Sequence, residues 1–170
     1  MKITELITLV EKQKNFSDWK QKNPDGQLVH VFVLFEPGQK KKYDIGYYNT
    51  KTKKMASFTV LEGTDDTESR EEDEILKDPD YQIMPLTKED ICIELDKALG
   101  NAIKLQKEKY KKDEALKYIL ILQKLKIGQV WNITFVTKQF NTLNIKIDSK
   151  TGKTVEDSLH SLFQFSSGKK

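Results

Sequence analysis

The chain has 170 residues, 37% hydrophobic and 32% charged, with a formal net charge of +3. That is enough for one ordinary domain or two small ones, with a core that needs no disulfide staples. No apolar run reaches the roughly 20 residues that span a bilayer, and the lone cysteine, Cys92, excludes an internal disulfide.

The segment Met1 to Val10 carries Glu5 and lacks the continuous apolar stretch of a signal peptide, so the sequence reads as cytoplasmic. Within it, Ile3, Leu6, Ile7 and Val10 recur at helical spacing, which predicts a helix over Ile3 to Lys14. Ser17 and Asp18 can cap a further helical turn through Trp19 to Lys22, and Asn23-Pro24-Asp25-Gly26 stops it. Three strand-like runs follow: Leu28 to Phe35, Lys42 to Tyr48 and Met55 to Leu61. The first is apolar at both alternating sets of positions, which suits a strand covered on both faces.

Charge is distributed unevenly. Of the 29 basic residues only Arg70 is an arginine, which disfavours bidentate reading of phosphate or guanine. Glu62 to Asp80 holds ten acids against Arg70 and Lys77, so this stretch carries −8 and the remainder +11. Like charges repel one another and stay solvated, so the stretch reads as a mobile linker between two halves. Asp65, Asp66, Glu68, Glu71 and Asp73 lack the spacing, turn glycine and terminal ligand of an EF-hand, and no metal site is expected.

Thr87, with Asp90 three residues on, predicts the start of a helix running to about Lys109, with Ile91, Leu95, Ala98, Leu99, Ala102 and Ile103 on its apolar stripe. Cys92 falls inside it as a small apolar residue whose acidic neighbours disfavour a thiolate. Three more strand-like runs are Tyr118 to Leu122, Val130 to Val136 and Leu143 to Asp148. Thr154 to Phe165 is a strand or a short helix. Asn49 to Lys54 aligns with Asp148 to Lys153 at an offset of 99, and the order of elements is shared between the halves. The expected fold class is therefore α+β, two tandem α-β-β-β units with helices packed on antiparallel sheet. The units span 1–61 and 86–165, joined by an acidic linker at 62–85 and followed by a tail at 166–170.

The second unit resembles a PepSY-type module. The resemblance rests on Ile145, Ile147, Asp148, Thr151, Gly152 and Val155, preceded by one helix and strands in the expected order. In the first half Asn49 stands in place of the Asp and Lys53 in place of the Gly. The tandem layout is also similar in outline to the beta-lactamase inhibitory protein family. This resemblance implies a binding or inhibitory module and not a catalyst.

The residues agree with that implication. His30 and His160 are the only histidines, and no H-E-x-x-H, C-x-x-C, phosphate-loop or G-x-S-x-G element is present. His30 reads as a structural histidine in an apolar strand. No cofactor is expected, and the chain is read as non-enzymatic. The expected partner is a protein or peptide held on a sheet face or edge, with Tyr47, Tyr48, Trp131 and Phe135 as contact residues that could equally serve the core. One alternative is single-stranded nucleic acid stacked on Tyr43, Tyr47, Tyr48 and Phe58 beside the lysine-rich turns. Another is a small ligand in a pocket between helix and sheet.

Overall fold

Ile3, Leu6, Ile7 and Val10 are buried on one face of helix α1 (Ile3–Glu11). The chain breaks at Gln13 and restarts as α2 (Lys14–Lys22), which buries Phe16 and Trp19. Both helices lie on one face of a sheet. Four strands follow: β1 (Gly26–Phe35), β2 (Lys42–Asn49), β3 (Lys54–Leu61) and β4 (Thr67–Glu72). A single 3-10 turn (Lys88–Asp90) and α3 (Leu95–Lys109) then precede β5 (Ala115–Leu125), β6 (Gly128–Thr137), β7 (Asn141–Asp148) and β8 (Thr154–Ser161).

These elements come from a computed structural model, which describes residues 2–72 and 82–163. The expected α+β class holds: two tandem helix-plus-antiparallel-sheet units share one sheet of order β4-β3-β2-β1-β5-β6-β7-β8. The two first strands pair antiparallel at the centre, His30 opposite Gln123 through Phe35 opposite Tyr118. A single cluster of buried residues runs through both units beneath the helices, from Phe58 and Val31 to Leu120, Ile133 and Ile145.

Each unit has four strands where the apolar runs indicate three. The first unit gains β4, which lies inside the stretch expected to be a linker and pairs with β3 from Val60–Thr67 to Met55–Glu72. Asn15 holds its start, its amide donating to the Thr67 carbonyl at 3.1 Å. The rest of that acidic stretch, 73–81, and the tail lie outside the described residues.

The onset of α3 also differs from expectation. Thr87 makes no side-chain cap, and the 3-10 turn gives way to a break before Glu94. The cause is tertiary: the N–H groups of Cys92 and Ile93 both donate to the Ser149 carbonyl, at 3.0 and 2.8 Å. Those donors cannot also serve a helix. Cys92 is consequently exposed, outside the helix. Glu94 uses its carboxylate to accept the Ile3 N–H at 2.8 Å, so the second unit caps the first helix of the first unit.

The two aligned turns have the same local chemistry. Asn49 Oδ1 accepts from the N–H groups of Lys51 and Thr52 at 2.9 and 3.3 Å. Asp148 Oδ1 accepts from Lys150 and Thr151 at 3.0 and 2.7 Å. Four residues after each acceptor the backbone is left-handed, φ 58° at Lys53 and 76° at Gly152. Their places in the topology differ, however. The first joins the second and third strands of its unit, and the other joins the third and fourth. The motif repeats a turn, and the repeat of the units is carried by strand order.

Candidate functional site

Strand alternation assigns the predicted contact residues to faces. Tyr47, Trp131 and Phe135 point under the helices and are 3%, 0% and 1% exposed. Tyr47 packs with Phe16, Trp19 and Phe58, with ring centroids 4.8 to 5.8 Å away. Its hydroxyl donates to Glu11 Oε1 at 3.1 Å, and burial together with that carboxylate pushes its pKa far up. Trp131 donates its indole N–H to the Ile93 carbonyl at 2.8 Å. Tyr48 faces the other side but is buried with Val29 and Met55, against which Ile83 packs. The four rings are thus brought to two different faces, and none lies open to solvent.

The opposite face of the sheet carries none of the described helices. Reading the ladders across it gives aligned rows. One runs Arg70, Ser57, Gly46, His30, Gln123. The next runs Thr59, Asp44, Phe32, Ile121, Asn132 and Lys146. The third sets Leu34 opposite Ile119, with Thr134 and Asn144 beyond. The centre of this face is therefore apolar, formed by Phe32, Leu34, Ile119 and Ile121 along the β1–β5 seam. Its flanks are polar. Thr59 donates to Asp44 on one side. On the other, the Asn144 amide donates to Asn132 and Thr134 at 2.7 and 2.9 Å.

The strip opens at one end into a cavity of about 390 Å³ lined by Val29, His30, Phe32, Asp44, Met55, Ser57, Arg70, Ile83, Met84, Ile121, Gln123 and Lys124. Two local features shape it. Gly46 lies directly beneath the His30 ring, where a Cβ would sit 2.2 Å from the imidazole. The missing side chain lets the half-buried imidazole lie flat on the sheet. The second feature is a wedge between β1 and β5, which part beyond His30 and Gln123. The returning chain fills it: Met84 bridges Lys124, and the Leu86 N–H donates to the Leu28 carbonyl at 2.8 Å. Ile83 packs on the helix-free face while Leu86 packs in the helix-side core. The chain therefore passes between the strand ends from one face to the other. Gln129 clamps it there, its amide bonding both the N–H and the carbonyl of Thr87, at 2.8 and 3.1 Å.

No group of three or more His, Cys, Asp or Glu side chains among the described residues is placed to hold a metal ion. His160 is exposed on β8, far in the strand order from His30 on β1. The cavity residues were not singled out by sequence reasoning, although a signal existed. β1 is apolar at both alternating sets, and helices cover only one of them.

No protein-family model matches the sequence, and no curated protein matches it. One solved structure is similar in fold, described as "a putative lipoprotein" from Clostridium difficile 630. It has a TM-score of 0.55 and 19% identity, over 89% of this chain and 98% of that one. No helix among the described residues is long and apolar enough to cross a membrane.

Proposed function

We propose that the protein is a non-enzymatic binding module that takes a protein or peptide segment on the helix-free face of its sheet. The observation that carries this reading is the apolar strip Phe32, Leu34, Ile119 and Ile121 leading into the cavity at His30. A cavity of about 390 Å³ has room for a large apolar side chain of a partner. Lys124 at its wall favours an acidic residue next to that side chain. This keeps the expected partner class and moves the contact surface from Tyr47, Tyr48, Trp131 and Phe135 to the central strands. The PepSY resemblance at Asp148, Thr151 and Gly152 supports a binding or inhibitory role and stays part of the proposal. A small ligand with an apolar body and an acid group is the second reading, favoured by the same cavity. Single-stranded nucleic acid is less favoured, because Tyr47, Tyr48 and Phe58 are buried. We place the protein in the cytoplasm, since its exposed, unpaired Cys92 suits a reducing compartment. Recovery from the membrane fraction or the medium overturns that placement.

The test is selection of peptides from a random display library on the full chain, followed by amide NMR mapping of a selected peptide. The expected peptides carry an aromatic or aliphatic residue flanked by Asp or Glu. The expected shifts centre on Phe32, Leu34, Ile119 and Ile121. Shifts confined to the helices, or no peptide enriched over a Phe32→Asp variant, overturn the reading.

A further inference from the structure

We propose that β8 pairs antiparallel with β8 of a second copy, about a two-fold axis at Ser158, to make one continuous sheet. Among the described residues the sheet ends at β8 on one side and at β4 on the other. The β4 edge carries the exposed charges of Glu68 and Arg70, which guard it. The β8 edge combines the exposed apolar Leu159, 38% accessible, with an acceptor at Glu156 and an imidazole donor at His160.

The ladder shows which main-chain groups face outward. The Leu162 N–H donates to the Phe140 carbonyl at 2.9 Å. Thr142 opposite His160, Asn144 opposite Ser158 and Lys146 opposite Glu156 follow in the same frame. Residues 156, 158 and 160 therefore bond inward to β7, and Asp157 and Leu159 turn their N–H and C=O groups outward. In the Ser158-centred register each Asp157 meets the other copy's Leu159 as a hydrogen-bonded pair. Each Glu156 then stands opposite the other copy's His160 as a close, non-hydrogen-bonded pair on the helix-free face. Glu156 already holds Lys146 at 3.0 Å, and its carboxylate has further lone pairs for an imidazole N–H. The two Leu159 side chains become diagonal neighbours on the helix side. A register centred on Asp157 would set that carboxylate against its own copy. A register centred on Leu159 would leave Glu156 opposite Leu162. The Glu156–His160 pairing and the avoided carboxylate contact thus select the Ser158 register. The axis is perpendicular to the sheet, so both helix-free faces lie on the same side of the assembly.

Light scattering of the full chain over about a hundredfold concentration range is expected to show a monomer–dimer transition. The Leu159→Pro variant removes an outward N–H that its own sheet does not use, and should be monomeric throughout, melting as the wild-type chain does at the dilute end of that range. In a Cys92→Ser background, Ser158→Cys should form a covalent dimer under mild oxidation, because facing residues of a non-hydrogen-bonded pair lie about 4.5 Å apart at Cα. Asp157→Cys and Leu159→Cys should not. A chain that stays monomeric throughout, or cross-linking at 157 or 159 equal to that at 158, overturns the proposal.

Discussion

The two units fill the space between helix and sheet by different means. The first uses rings: Phe16, Trp19, Tyr47 and Phe58 meet at centroid distances of 4.8 to 5.9 Å beneath two short helices. The second uses one longer helix whose fully buried positions include Ala98 and Ala102, over aliphatic Leu120, Ile133, Leu143 and Ile145, with the rings of Trp131 and Phe135 set among them and not gathered into one four-ring cluster. Both solutions bury the same side of the same sheet. What the architecture requires is apolar volume at alternate strand positions, and the kind of side chain that supplies it is open.

The largest expected effects break one unit and ask whether the other survives. Phe58→Ala and Trp131→Ala should each cost about 3–5 kcal/mol in urea unfolding. Trp131→Ala should be the costlier because it also strands the Ile93 carbonyl. With Trp19→Phe or Trp131→Phe, the remaining indole reports one unit alone. Coincident transitions are expected because a single core cluster spans both, and separate transitions would show two independently stable units. Next in size is Gly46→Ala, whose Cβ meets the His30 ring; about 1–3 kcal/mol should be lost, and His30→Ala should restore most of it.

The aligned turns offer smaller, sharper tests. Lys53 holds φ 58° without the freedom of a glycine, so Lys53→Gly should stabilise by about 1 kcal/mol. Gly152→Ala should destabilise by about 1–2 kcal/mol or more, since its Cβ also presses Ile93 at 3.2 Å. The smallest effect is in pH. Hydrogen bonds from Thr151 and Lys150 hold the Asp148 carboxyl below its usual range. A carboxyl depressed in the folded state contributes stability above its unfolded pKa that is lost as pH falls through the folded pKa. Asp148→Asn should flatten that acid limb of the stability curve, as Asn49 already does in the other turn. An unchanged limb would assign it elsewhere, for instance to Asp157, which Lys109 and Tyr110 also hold low.

Six strands were legible because their apolar residues alternate or run together. The strand β4 was not, because TESREE contains no apolar residue and its place is secured by ladder bonds to β3. The break before α3 was hidden for another reason: its donors are claimed by Ser149, more than fifty residues later. The site was legible only in part. Alternation separates Tyr47 from Tyr48, but it does not say which set the helices cover. Only the fold shows that Phe32 and Ile121, and not Trp131 and Phe135, lie on the helix-free side.

The central seam has a consequence for synthesis. Every other ladder joins strands consecutive in the chain, whereas β1 waits for β5, with His30 meeting Gln123. While the ribosome makes the second unit, the most apolar strand of the first stands as a naked edge, a template for sticking to other nascent chains. The second unit therefore acts toward the first as a built-in chaperone. Chains ended before Ala115 should be recovered as aggregates, and supplying residues 86–170 in trans should return them to solution.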